Sequence, residues 1–268
     1  MWYPIKSFIA FLFKSTNQHG VHSPFVYQLV TQCFYNKETF TAYKVLNNYR
    51  QSLLRNNTLL EIEDFGSGSR VFKSQFRTVA SIAKTAGSSV KKTQLLYRLS
   101  RYLNCKNLLE LGTALGQGTQ ALCMGAQNGN VTSIEGSKAL YNTTKKNLTG
   151  CNNLNLINGI FKNELSKLND HKWDLIFIDG HHDKAATIAY FEALIPNTHN
   201  DSLIILDDIY WSKGMNEAWN EIIQDESVAF SIDLFRMGIL FFDHSIMPKQ
   251  HFKLIQYKYK PWAIGLFG

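Results

Sequence analysis

The sequence predicts an α/β protein: a largely parallel, helix-covered sheet closed by an antiparallel hairpin and preceded by a mainly helical N-terminal extension. Three observations predict it. From Asn107 onward short apolar runs alternate with amphipathic segments, as in a parallel sheet with helices on its faces. Near the end two apolar runs, 228–233 and 238–242, are only a few residues apart, too close for a crossover, so they must pair antiparallel. Before residue 107 there is no such alternation, and apolar residues recur at helical spacing.

Taken in order, Ser23 and Pro24 make a helix start, and Phe25, Val26, Leu29, Val30 and Cys33 carry the helix over 24–34. A second helix runs through Tyr43, Leu46, Tyr49, Leu53 and Leu54, and a third through Phe76, Val79, Ile82 and Ala83. A fourth, started by Ser88 or Ser89, runs through Leu95, Leu96, Leu99 and Leu103. The loop DFGSGSR at 64–70 separates the second from the third; it reads as an ordinary Gly-rich turn ahead of an anion nest beside Arg70. Strands are expected at 107–111, 131–134, 154–157, 173–178 and 202–206, with helices at 119–127, 138–148, 162–168, 185–194 and 215–224. The organisation expected is an extension of residues 1–87 and a domain of residues 88–268.

With 268 residues, 45% of them hydrophobic, the chain can bury a full core without staples. Its four cysteines form no C-x-x-C pair and have no histidines at zinc-ligand spacing, so a reducing cytoplasm fits best. No apolar run approaches the roughly 20 residues that span a bilayer. The net charge of +7 is unevenly placed: residues 1–107 hold 15 Lys and Arg against 4 Asp and Glu, and the remainder 13 against 17. A basic N-terminal third is open to nucleic acid, anionic lipid or an acidic substrate, and equally to a solvated surface. The N-terminal cluster Trp2, Phe8, Ile9, Phe11, Leu12 and Phe13 reads as a helix docked on the domain or on a homodimer partner. Lys6 and Lys14 beside it keep a membrane-surface role open. The two histidines of HGVHSPF, at 19–25, read as surface or cap groups.

The strongest motif is LLELGTALGQGTQAL at 108–122, where an apolar strand turns through Gly112, Gly116 and Gly118 into a helix. Glycines there let backbone approach a ligand closely. The G-x-x-x-G-x-G spacing departs from the dinucleotide fingerprint G-x-G-x-x-G, which argues for a cofactor without pyrophosphate. The next strand ends in Ile134-Glu135-Gly136, and a carboxylate at that tip can accept hydrogen bonds from both hydroxyls of a ribose.

In these residues the chain resembles the class I S-adenosylmethionine (SAM)-dependent methyltransferases, whose motif E-x-G-x-x-x-G is met by Glu110, Gly112 and Gly116. The resemblance covers about residues 90–242 and implies a Rossmann-like sheet with SAM as cofactor. The cofactor contacts it implies are Glu110, Gly112, Thr113, Ala114, Gly116, Gly118, Thr119, Glu135, Gly136, Asn158, Gly159, Ile160, Phe161 and Asp179. At 158–161 Ile160 stands where the family often has an acid or amide for adenine, so Asn158 or backbone would meet the base, with Ile160 or Phe161 against the ring.

FIDGHH at 177–182 and LDDIYW at 206–211 resemble the metal-dependent, catechol-type O-methyltransferases. That resemblance implies Asp179, Asp207 and Asp208 as ligands of Mg²⁺ or Ca²⁺, with Trp211 also matching. The family's catalytic lysine is replaced by His182, in a D-G-x-H pattern that resembles the macrolide-type sugar O-methyltransferases, where a histidine is the base. His182 and Asp179 are the candidate catalytic pair. His181 ranks behind His182 and Lys184 third, while Asp183 is the expected helix cap. The expected function is O-methylation of a small diol, phenol or sugar. Methylation of structured RNA is the alternative, and a SAM- or nucleotide-binding protein without transferase activity is the reading from another class. Residues 1–85 are expected to build or cover the acceptor pocket, with a partner surface as the alternative, and to leave a less stable SAM-binding core when removed.

Overall fold

The protein is described by a computed structural model covering residues 2–63, 75–168 and 170–260. The DFGSGSR loop and Phe72 lie outside the described residues. The N-terminal part contains helix α1 (Trp2–Lys14), a 3-10 turn (Gln18–Gly20), α2 (Pro24–Gln28) and α3 (Thr41–Leu54). Ser23 starts α2 by accepting from the Val26 N–H at 3.4 Å, as its sequence position predicts. The chain continues beyond α2 as a π-helical turn, Leu29–Phe34, so the expected 24–34 helix changes its hydrogen-bond pattern midway.

Strands β1 (Leu59–Glu61) and β2 (Phe76–Thr78) form an antiparallel pair that sequence periodicity missed. Phe76, expected in the third helix, belongs to β2 and pairs with Glu61. Helix α4 (Val79–Thr85) starts only after Thr78, whose hydroxyl accepts from the Ser81 N–H at 3.2 Å. Helix α5 (Val90–Tyr102) is capped in the same way by Ser89.

The alternating region follows: β3 (Asn107–Leu111), α6 (Gln117–Gly125), β4 (Asn130–Glu135), α7 (Lys138–Asn147), β5 (Leu154–Asn158), α8 (Phe161–Leu165) and β6 (Leu175–Ile178). After these come α9 (Lys184–Leu194), β7 (Leu203–Asp207), α10 (Lys213–Ile222), β8 (Phe230–Asp233), β9 (Met237–Phe241) and β10 (Gln250–Lys253). The larger sheet has the strand order β10-β8-β9-β7-β6-β3-β4-β5. Strands β3, β4 and β5 are parallel, and β8 and β9 form the expected antiparallel hairpin. Strand β10, which the sequence reading did not foresee, runs parallel to β8 at the sheet edge. The burial of every residue of β6 and β7 explains why those strands read as continuous apolar runs.

The chain divides into two compact units. One comprises residues 37–175 and 179–181, the other residues 1–36, 176–178 and 182–268. The boundary expected at 87/88 falls inside the first. Residues 37–87 belong with the glycine loop, and residues 1–36 with the C-terminal strands. Among the described residues no helix is long and apolar enough to cross a membrane.

Candidate cofactor and acceptor sites

The cofactor site is built by the ends of β3 and β4. Register places Glu110 opposite Ser133 and Leu111 opposite Ile134, so a polar pair meets beside an apolar one. Glu110 is 1% exposed, and its carboxylate accepts from the hydroxyls of Ser133 and Thr119, while Thr113 and Ser133 share a further hydrogen bond of 2.6 Å. Burial pushes the Glu110 carboxyl up to about 7, against the opposing pull of the two hydroxyls. Glu110 and Thr119, both expected as cofactor contacts, are thus engaged with each other beneath the loop.

The loop is shaped for close approach. Gly112 has φ +101°, and a Cβ there would lie 2.4 Å from the Asp179 carbonyl oxygen. Gly116, the residue before α6, has φ +73°, with Leu148 and Thr144 each 2.7 Å from a Cβ position. Ala114 adopts φ +48° although it carries a side chain. Four of the non-glycine residues with positive φ, Ala114, His181, His182 and Asp208, follow directly or closely on the carboxyl ends of β3, β6 and β7. Strain of this kind costs of order 1–3 kcal/mol per residue and collects at functional sites.

Glu135 ends β4 at 8% exposure, and its two carboxylate oxygens accept from the N–H groups of Ala114 and Ser137, each at 2.8 Å. Burial raises its pKa, and those backbone donors oppose the rise. Register pairs Glu135 with Asn158, and the Asn158 amide donates to the carbonyls of Glu135 and Gly136. Asn158 therefore orders the strand tip. Phe161 is 7% exposed, with His181 at a ring distance of 5.5 Å and Gly180 against its ring edge, whereas Ile160 is 44% exposed beside the strand tip. Of the two side chains considered for adenine, Ile160 presents the accessible apolar surface.

A narrow cleft is lined by residues 86–88, 110, 112–115, 117, 118 and 179. In its wall Gln117 is 4% exposed, and neither polar atom of its amide has a hydrogen-bond partner. The Ser137 hydroxyl beside Glu135 is buried in the same condition. Buried polar groups are expected to be paired, so both retain hydrogen-bonding capacity that a polar ligand could meet. Neither residue was singled out from sequence. The signal for Gln117 was its place between Gly116 and Gly118.

Residues before the first central strand also build this site. Leu53, Ile62, Val79, Ile82 and Ala83 form one buried cluster with Leu115 of the loop and Leu140 of α7. The Tyr49 hydroxyl donates to the Leu115 carbonyl at 2.7 Å, and Arg50 donates to the carbonyls of Ala83 and Ser88. Lys92 of α5 forms an ion pair with Asp179 at 3.6 Å, both side chains 16% exposed.

In the second unit, the His182 ring lies 6.4 Å from that of Trp211, which is 39% exposed. Asp183 caps α9 by accepting from the Ala186 N–H at 3.1 Å, as expected. Lys184 forms ion pairs with Glu221 at 3.0 Å and Glu217 at 3.9 Å. Asp207 ends β7 at 1% exposure, and the Asp208 N–H donates to the Arg236 carbonyl at 2.6 Å. Among the described residues no three His, Cys, Asp or Glu side chains are grouped to hold a metal ion.

The sheet order and the glycine cradle together define a class I methyltransferase fold. Comparison with known proteins agrees: a family model described as "Methyltransferase domain" matches residues 109–209, from β3 through the end of β7. Residues 109–209 are thus similar to a methyltransferase domain. A search of curated proteins finds no match. Among solved structures, an S-adenosylhomocysteine (SAH)-bound methyltransferase from Podospora anserina is similar, with TM-score 0.58 and 14% identity over 83% of this chain and 97% of that one. The O-methyltransferase from Bacillus cereus in complex with SAH gives 0.51 and 17% over 80% and 96%. TomG, an O-methyltransferase of tomaymycin synthesis from Streptomyces achromogenes in complex with SAM, gives 0.54 and 12% over 81% and 94%. At these identities the likeness establishes the fold.

Proposed function

We propose that the protein transfers a methyl group from SAM to a hydroxyl oxygen of a small molecule, with His182 as the base. The observation that carries this reading is the strained His181-His182 pair after β6, with His182 beside the partly exposed Trp211 ring. When bound, SAM supplies an electrophilic methyl group on a sulfonium. Gly112, Gly116, Gln117, Glu135 and Ser137 are the residues that would hold it. A neutral imidazole at His182 accepts the hydroxyl proton as the acceptor oxygen becomes bonded to carbon. Alignment of the reacting atoms supplies most of the remaining rate, and Trp211 offers a flat apolar surface for an acceptor ring.

Metal assistance belongs to this reading through the resemblance of Asp179, Asp207 and Asp208 to the catechol-type ligand set, and in the metal-free state Lys92 pairs with Asp179. Loss of transfer in excess EDTA, with rescue by Mg²⁺ or Ca²⁺, is the outcome expected of the metal-assisted form, and undiminished transfer would leave His182 as base without a metal. His182→Ala should lower turnover by about 100-fold or more while leaving SAH affinity unchanged. Unchanged turnover in that variant would remove the base assignment.

A further inference from the structure

We propose that α1 is an interfacial helix that seats the protein on an anionic membrane surface. The helix has two apolar faces. Phe11 is 2% exposed and meets Tyr210 and Phe235 at ring distances of 6.2 and 5.4 Å, so this face is already covered. Ile5, Ile9 and Phe13, spaced four residues apart, form the opposite stripe and are 57%, 49% and 80% exposed. Helical geometry sets the exposed Lys6 about 60° from the middle of that stripe, and the exposed Lys14 follows Phe13 at the end of the helix, further round its surface.

The exposed stripe is held in place. The Lys260 ammonium donates to the carbonyls of Leu12, Phe13 and Ser15 at 2.7, 3.0 and 2.6 Å, closing the C-terminal end of the helix. Asn17 donates to the Lys260 carbonyl at 2.9 Å, which locks the two chain segments together. The same clasp brings in the 3-10 turn Tyr257–Tyr259, whose tyrosines are 43% and 50% exposed around Lys258. Tyrosine and lysine beside an apolar stripe is the composition of a headgroup-level anchor.

Charge selects the occupant. No aspartate or glutamate precedes Glu38 or follows Asp243 in the sequence. An apolar stripe flanked only by cations, on segments free of acid, fits anionic lipid; a second copy would bring the same cations against these. The stripe is too short to span a bilayer, so the helix lies in the surface plane.

The test is co-sedimentation of the full chain with vesicles of phosphatidylcholine alone and of phosphatidylcholine with about one third phosphatidylglycerol. The expected result is binding at least about tenfold stronger to the anionic vesicles, much reduced in about 0.5 M salt. It should be lost in Ile9→Asp and Phe13→Asp variants whose thermal midpoints and SAH affinity are unchanged. The wild-type comparison decides the matter even where a variant fails to fold. Absence of binding to anionic vesicles overturns the proposal. So does a concentration-dependent dimer that Ile9→Asp dissociates, since the stripe would then be covered by a second copy.

Discussion

The two units use their buried polar groups for different ends. In the unit of residues 37–175, the hydroxyls and carboxylates of Thr113, Thr119, Ser133, Glu110 and Glu135 converge on one loop. In the other, Lys260 and Asn17 tie the C-terminal segment to the N-terminal one, and the buried Asp233 accepts from Tyr210 beside Lys253. The first arrangement gathers around a loop whose cleft wall holds the unpartnered Gln117 amide; the second joins distant segments of the chain, with the buried His251 Nε2 also left without a partner. An unpartnered buried group marks a candidate ligand site only where a cleft reaches it.

The comparison breaks most sharply on truncation. Removal of residues 1–85 was expected to leave a SAM-binding core, but Leu53, Ile62, Val79, Ile82 and Ala83 bury Leu115 of the loop. Losing several such core side chains costs about 2–5 kcal/mol each, so the truncated chain should show no SAH binding by calorimetry. Retained binding would mean the loop holds its shape without them. Gly112→Ala comes next: left-handed backbone and the 2.4 Å approach to the Asp179 carbonyl should lower SAH affinity by about tenfold or more.

Titration separates the buried acids from a buried histidine by sign. Glu110 has its folded pKa raised from 4.5 to about 7, so the folded state holds the proton more tightly. Its contribution to stability is fully present below 4.5 and is lost as pH rises through about 7. Burial raises Glu135 and Asp233 in the same direction. His251 is the reverse: burial, then the Lys253 charge, lowers it from 6.5 to about 4. Its neutral form supports the fold above 6.5, and that support is lost as pH falls through about 4. Denaturant midpoints measured across this range should fall less with rising pH in Glu110→Gln and rise less in His251→Gln. Equal pH profiles for both variants and the wild type would remove the assignment. The smallest expected effect is that of Tyr49→Phe, which leaves the Leu115 carbonyl short of a donor and should cost about 1–3 kcal/mol. Lys260→Met should cost a similar amount of stability with SAH affinity unchanged.

Much of this was legible in the sequence where local chemistry decides. The caps Ser23, Ser89 and Asp183 lie where their side chains predict, and β3 has the bounds its apolar run gives. What was not legible depends on distant partners. Phe76 lies at helical spacing from Val79, yet pairing with Glu61 draws it into a strand. Strand β10 is short and only one of its residues is buried, so its pattern carried little signal until β8 was beside it. At the site, glycine spacing and the strand-tip acid located the cradle. Glu110 was placed by the motif and lines the cleft, but its pairing with Ser133 depends on strand register, which the sequence does not show. Tyr49 and Arg50 lay in a segment assigned to the acceptor, and only the fold brings them to the loop.

The central claim is that the cradle made by Gly112, Gly116, Gln117 and Glu135 holds SAM. Calorimetric titration of the wild type and Glu135→Ala with SAH and with NADH tests it most directly. The account predicts that the wild type binds SAH and not NADH, and that Glu135→Ala weakens SAH by about tenfold or more, since it loses ribose contacts and the anchor of Ala114 and Ser137 together. Unchanged SAH affinity in Glu135→Ala, or NADH binding in place of SAH, would contradict it.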